Sequence, residues 1–184
     1  MRCFIAIELP AAIHEALEDA KMRLRAAHVK ASWVKPGNVH LTLRFLGEIE
    51  EVQAARIAVT LEEDYEAVPP FRLRVQGLGA FPTARRPSVL WAGCGPLDTG
   101  LSDVQQKAEA AARAVGLDAE TKAFRPHLTL ARIRDRRSAG PVAAALERQR
   151  GFDGGEFEVS AVALFESRLS PAGAEYTRLK EFRF

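Results

Sequence analysis

Cysteine is scarce in this chain. Among 184 residues only Cys3 and Cys94 occur, each inside an apolar stretch and neither in a C-x-x-C pair, which excludes a disulfide framework. The pair reads instead as small buried hydrophobes of a reducing cytosol. Long hydrophobic runs are also missing, and no stretch approaches the length of a membrane span. The opening Met1-Arg2-Cys3-Phe4-Ile5-Ala6-Ile7-Glu8 reaches a glutamate, and then Pro10, too soon for a signal peptide. A soluble, cytoplasmic protein with no membrane partner is expected. Charge of one sign is lacking too: the formal net charge is +2 and the pI about 8.7. That is too mild for a protein coating a nucleic-acid backbone and suits a small anion or a nucleic-acid end. No linker or low-complexity segment interrupts the chain. With 47% apolar and 27% charged residues, it has the composition of a globular domain, or of two small lobes sharing one core.

Periodicity supplies the elements. Alternation predicts strands over residues 3–9, 39–46, 71–75, 88–92, 127–133, 157–165 and 176–182, with a short extended piece at 33–35. Helical spacing predicts helices over 11–27, 50–65, 97–115 and 141–149. In the first, Ile13, Leu17, Ala20 and Leu24 recur among charged residues. Pro10 suits a first helical turn, Pro36-Gly37-Asn38 a turn, Gly47 a strand end and Gly116 a helix stop. Gly77, Gly79, Pro82 and Pro87 mark a loop that holds Arg85-Arg86, read as solvated. The order of elements implies an α+β protein of two similar lobes, each an antiparallel sheet covered by helices.

One tetrapeptide occurs twice, as His40-Leu41-Thr42-Leu43 and His127-Leu128-Thr129-Leu130, and it uses two of the four histidines. In a strand, residues two apart share a face. Each copy therefore sets an imidazole beside a hydroxyl and turns its leucines toward the core. A lone H-x-T is weak, because threonine favours strands and a single histidine is usually an ordinary surface or core residue. Duplication without retained chemistry would leave wider similarity between the halves, and little is seen. The pair of motifs fits the opening of a cyclic phosphodiester. Water must be activated by a base and the departing ribose oxygen protonated by an acid, from opposite sides of phosphorus. Two histidines suit both tasks near neutral pH. Thr42 and Thr129 can donate to the non-bridging oxygens. Neither a metal nor any other cofactor is required, and no H-x-x-x-H or local carboxylate cluster supports a metal site.

At these residues the chain resembles the two-histidine (2H) phosphoesterases, specifically the RNA 2′,3′-cyclic phosphodiesterases, historically called 2′-5′ RNA ligases. The resemblance covers nearly the whole chain. It includes Arg2 to Pro10, the run Trp33-Val34-Lys35-Pro36-Gly37-Asn38-Val39-His40-Leu41-Thr42-Leu43-Arg44-Phe45-Leu46-Gly47, and Phe124-Arg125-Pro126-His127-Leu128-Thr129-Leu130-Ala131-Arg132. It implies a bilobal fold with pseudo-twofold symmetry and a central cleft, with residues 1–184 forming one domain of two intertwined lobes. It also implies hydrolysis of an RNA 2′,3′-cyclic phosphate to a 2′-phosphate, with His40 as proton donor and His127 as proton acceptor. The two motifs alone do not order those roles. Some family members also join tRNA halves through a 2′-5′ linkage without ATP.

Other positions carry two readings. Arg132, five residues past His127, is either a phosphate clamp or one of the solvated charges in Arg132-Ile133-Arg134-Asp135-Arg136-Arg137, and the resemblance favours the clamp. Phe45, at the same offset from His40, either stacks on the terminal base or joins Leu41 and Leu43 in the core. Trp33 and Trp91 are expected to be packing residues, and His14 and His28 to be exposed and inert. Arg85-Arg86 either steers an RNA strand toward the site or, the reading preferred, belongs to a solvated loop. Rival functions are a hydrolytic metal site, a non-catalytic RNA-end binding module, and a phosphodiesterase of small cyclic phosphates. A monomer acting on RNA 3′ ends is expected.

Overall fold

The sheet is built outward from two central strands. The computed structural model describes residues 1–96, 98–171 and 173–184, and the backbone alone of Arg136. Along the chain come β1 (Arg2–Ile7), α1 (Ala11–Ala26), β2 (Ser32–Trp33), β3 (Leu41–Glu48), α2 (Glu51–Tyr65), β4 (Phe71–Thr83), β5 (Arg86–Gly95), α3 (Thr99–Ala114), β6 (His127–Arg132), α4 (Ala139–Arg148), β7 (Asp153–Val159), β8 (Ala161–Ser170) and β9 (Gly173–Arg183). They form one antiparallel sheet in the order β7-β4-β5-β6-β3-β1-β8-β9, with β2 pairing onto β6.

β3 and β6 meet in the middle, and the lobes lie to either side. α2 packs against β9 and α3, and α3 packs against β3. On the other side α1 packs against β7 and α4, and α4 against β5. Each lobe therefore takes elements from both halves of the chain. β1 and β3 sit with β8 and β9, while α1 covers a sheet made mostly of later strands. This interleaving explains why β1 is apolar along its length: Cys3, Ile5 and Ile7 join the main core, and Phe4 and Ala6 pack on the other side with Ala163 and Phe165. Leu41, Leu43, Leu128 and Leu130 all belong to the main core. At about 25 cal/mol per Å² of apolar surface, each such leucine contributes roughly 1.5–3 kcal/mol.

Local chemistry sets the helix ends. Asp98 caps α3, its carboxylate accepting from the amides of Gly100 (3.1 Å) and Leu101 (3.2 Å). Gln53 Oε1 accepts the Glu50 amide at 3.0 Å, which closes the first turn of α2. Pro10 stands just before α1, in extended conformation, rather than in its first turn. Gly116 (φ +88°) supplies the left-handed step after α3.

Further expectations change. The residues read as a glycine- and proline-marked loop are strand: β4 continues to Thr83 and β5 begins at Arg86, joined by a tight turn. The expected strand 157–165 is two strands divided at Ser160, β7 pairing with β4 and β8 with β1, at different places in the sheet. Gly47 does not end β3, which runs on to Glu48. The third helix begins at Thr99, and Leu97, where it was expected to begin, lies outside the described residues. Lys21, counted among the polar residues of α1, is fully buried, pairs with Glu18 and donates to Val34 O at 2.8 Å.

Candidate active site

The two motif strands meet head to head. Leu41 of β3 pairs with Leu128 of β6 in antiparallel register. Counting one residue outward on each strand sets His40 opposite Thr129, and Thr42 opposite His127. Because the leucines face the core, these four side chains share the other face. The arrangement is a local twofold, with each imidazole beside the other motif's hydroxyl.

Both imidazoles are held in the same way. His40 Nδ1 lies 2.8 Å from Asn38 O, and His127 Nδ1 lies 2.7 Å from Arg125 O. A carbonyl only accepts, so each Nδ1 carries the hydrogen and each Nε2 is left to give or take a proton. Asn38 is itself tied to β9, its Nδ2 donating to Ala174 O at 3.0 Å. Aromatic rings fix the orientations further. Phe4 stacks on His40 at 4.6 Å, and Tyr176 meets it edge-on at 5.3 Å. Phe81 meets His127 edge-on at 5.1 Å. Burial pushes the His40 pKa below the ordinary histidine value, and the hydrogen bond to Asn38 opposes part of that shift.

Each motif strand carries a bulge at the same place. β1 pairs Ala6 with Thr42 but Ile5 with Arg44, which leaves Leu43 as the extra residue. β5 pairs Trp91 with Thr129 but Leu90 with Ala131, which leaves Leu130 extra. An added residue reverses the alternation beyond it. Residues five past each histidine, Phe45 and Arg132, consequently fall on the histidine side. Phe45 is 58% exposed, which corrects the core-packing reading.

A cavity of about 470 Å³ opens there, lined by His40, Thr42, Phe45, Thr129, Arg132 and Tyr176, with Arg2 also in its wall. Its size falls in the range of small-molecule sites. His127 is not part of that lining; it stands beside it, across from Thr42, with its ring against Phe81. Burial raises the Tyr176 phenol pKa, and the positive charges of Arg132 and Arg2 pull it back.

Sequence reasoning missed Phe4, Tyr176 and Phe81. The first two sat in strands read only for their core faces, and Phe81 in the supposed loop. Trp91 is not a simple packing residue: it stands opposite Thr129 on the cleft side, against Phe81 at 5.2 Å. Trp33 does pack on the core, with Arg25 over its ring at 4.8 Å. His28 is exposed, in left-handed conformation. His14 is half-buried rather than exposed, its Nδ1 enclosed without a hydrogen-bond partner among the described residues. Arg85 and Arg86 are exposed at the β4–β5 turn. Among the described residues no group of three or more His, Cys, Asp or Glu side chains converges to hold a metal. No described helix is long and apolar enough to cross a membrane.

Known proteins share this sequence family and fold. The profile of the family described as LigT like phosphoesterase matches residues 7–91 and 95–176, one motif in each segment. The chain is 35% identical to the RNA 2′,3′-cyclic phosphodiesterase of Aquifex aeolicus, over 99% of this chain and 96% of that one. It is 30% identical to the protein of the same name from Methanothermobacter thermautotrophicus, over 100% and 98%. Among solved structures it is similar to TT0787 of Thermus thermophilus, with a TM-score of 0.81 and 30% identity over 100% of this chain and 97% of that one. It is also similar to E. coli LigT complexed with 3′-AMP, with a TM-score of 0.76 and 26% identity over 100% and 97%. Agreement in both halves of the chain and from end to end of its relatives leaves one assignment: the chain belongs to the LigT-like phosphoesterase family.

Proposed function

We propose that this protein is an RNA 2′,3′-cyclic phosphodiesterase that leaves a 2′-phosphate, with His40 as acid and His127 as base. The observation that carries this reading is the Leu41–Leu128 register, which sets two hydroxyl–imidazole pairs about a local twofold. The relatives' shared name supplies the substrate class.

In the reaction, the water oxygen bonds to phosphorus as His127 Nε2 takes its proton. The bond from phosphorus to O3′ breaks on the far side, and the Nε2 proton of His40 passes to O3′. Thr42 and Thr129 donate to the non-bridging oxygens, and Arg132 balances their charge. Phe45 stacks on the terminal base. The lowered pKa of His40 is compatible with an acid role, because the bound phosphate's negative charge favours the imidazolium. No metal or other cofactor takes part. A 5′-hydroxyl in place of water gives a 2′-5′ linkage by the same exchange, without ATP, so cleaved tRNA halves are candidate partners.

We read residues 1–184 as one domain, on the continuity of the sheet through β3 and β6. The monomer is the unit we propose, since one chain supplies every residue named. A cytoplasmic setting suits the free, buried Cys3 and Cys94. The test is incubation with an oligonucleotide ending in a 2′,3′-cyclic phosphate, with chelator present. A 2′-phosphate product is expected; a 3′-phosphate, or loss of turnover on chelation, overturns the mechanism.

A further inference from the structure

We infer that the RNA strand upstream of the terminal nucleotide runs over the second lobe, that of β7, β4, β5 and β6, along arginines at the rim of β5, β6 and the β4–β5 turn. This rests on the phosphodiesterase reading above and adds a path for the body of the substrate.

The track begins at Arg132 in the cavity wall, which pairs with Val89 of β5. The chain beyond stays on that strand, Ile133 donating its amide to Ser88 O at 2.8 Å. Ile133 is buried while Arg132 and Arg134 on either side are exposed, so both point away from the core. Arg85 and Arg86 follow at the end of the hairpin, where Thr83 Oγ1 accepts the Arg86 amide at 3.2 Å and fixes the turn. At about 3.3 Å per residue, Arg86 lies roughly 10 Å beyond Val89. The guanidiniums thus continue outward from the phosphate site.

What distinguishes these cations is the lack of carboxylates. Among the described residues none of Arg85, Arg86, Arg132 or Arg134 has an ion-pair partner. Asp135, their neighbour in sequence, is occupied by Arg137 at 3.0 Å. The opposite rim differs. There Arg168 pairs with Glu166 at 3.1 Å, Arg178 with Glu8 and Glu181 at 2.8 Å, and the terminal amine with Glu48 at 3.6 Å. Glu48 also lines the cavity. A polyanion leaving the cavity meets a run of free cations on the second lobe. On the first, Arg2 in the cavity wall is unpaired among the described residues, but Arg168, Arg178 and the terminal amine are neutralised. Unpaired cations along a backbone release counterions on binding, so this face adds affinity for a strand and none for a mononucleotide.

The test compares a 2′,3′-cyclic mononucleotide with an unstructured oligonucleotide bearing the same end. The variant Arg85→Ala/Arg86→Ala/Arg134→Ala is set against a charge-matched control, Arg56→Ala/Arg113→Ala/Arg148→Ala. The first variant is expected to lower kcat/KM on the oligonucleotide by roughly tenfold or more. Its plot of log kcat/KM against log salt should flatten by about 2, at ~0.7 for each phosphate no longer neutralised. Mononucleotide turnover stays unchanged in both. Equal losses in the two variants, an unchanged salt slope, or the same loss on the mononucleotide overturns the track. If the wild type cleaves neither substrate, the phosphodiesterase reading fails by itself. Anisotropy of the 5′-labelled oligonucleotide with the same two variants then decides the track: selective weakening of the first supports it, and equal binding removes it.

Discussion

Phe4 lies nearly flat on His40, with ring centroids 4.6 Å apart and planes 21° from parallel. The contact removes water from the imidazole, and burial is the leading cause of its lowered pKa. An NMR titration of His40 should therefore show a midpoint below the ordinary value of about 6.5, and Phe4→Ala should raise it. As the proposed acid, His40 must be protonated, so activity is expected to be lost as pH rises through the His40 pKa. In kcat/KM, which reports the free enzyme, that alkaline limb falls at lower pH than in kcat, where the bound phosphate restores the proton. Coincident limbs would show that the phosphate does not act on His40.

The same lowered pKa enters folding. The unfolded chain takes up the His40 proton near the ordinary histidine pKa, while the folded one takes it up only at lower pH. Between those values the unfolded state binds more protons, so stability falls as pH drops through that window and levels off below it. Burial also lowers the His14 pKa, which contributes in the same direction. Thermal unfolding of His40→Ala and His14→Ala should be less sensitive to pH across this window than that of the wild type. Parallel curves for all three proteins would refute the coupling.

Removing either imidazole should lower kcat far more than it raises KM. General acid–base catalysis is worth about 10²–10⁴-fold. His40→Ala and His127→Ala should each fall by at least that much while keeping the wild-type circular dichroism. Their double variant should lose little more than the worse single one, because groups acting on one phosphorus are not additive. Independent, multiplying losses would mean that the two rings do not serve one step.

How much of this was legible depends on what the chain repeats locally. The H-L-T-L copies declared strands with a reactive face and a leucine face, and Leu41 and Leu128 are wholly buried. Phe45 was ambiguous because strict alternation sends it inward. Only the bulge at Leu43 sends it out, and bulges arise from pairing with β1, which one strand's sequence does not contain. The β4–β5 hairpin was hidden for a similar reason. Gly79 and Pro82 look like breakers, yet Gly79 is where Trp91 lies, and Pro82 pairs with Pro87 near the hairpin end, where a missing amide costs little. Ser160 was invisible because the apolar alternation runs through it, although its neighbours pair with strands in different lobes. His14 lies one turn from Leu17 and two from Lys21, on a stripe whose burial is set by packing.

Phe45 and Arg132 should separate binding of the base from binding of the phosphate. Phe45 is largely exposed, so Phe45→Ala should leave the melting temperature unchanged. Loss of one base stack, about 1–3 kcal/mol, should raise KM by roughly five- to 150-fold with little change in kcat. Arg132→Ala should instead lower kcat, since charge on the phosphate oxygens grows in the transition state. Arg132→Lys should recover only part of it, lacking the planar fork. Steady-state kinetics on one cyclic-phosphate oligonucleotide checks both, and an equal pattern in the two variants would contradict the division of roles.

Gly79 offers the sharpest test of the second lobe's inner face. A Cβ at this position would come within 2.2 Å of the Trp91 ring, and that ring stands beside Thr129 in the adjoining strand. Gly79→Ala must therefore displace Trp91, at about 1–3 kcal/mol for overpacking. Melting temperature and kcat/KM should fall together, with a change in tryptophan emission. Because the clash is with one side chain, Gly79→Ala/Trp91→Leu should regain stability through the space the smaller residue leaves. If the double variant is no more stable than Gly79→Ala alone, the glycine is needed for its backbone, and the packing of Trp91 on it is not what holds the β4–β5 hairpin in place beside Thr129.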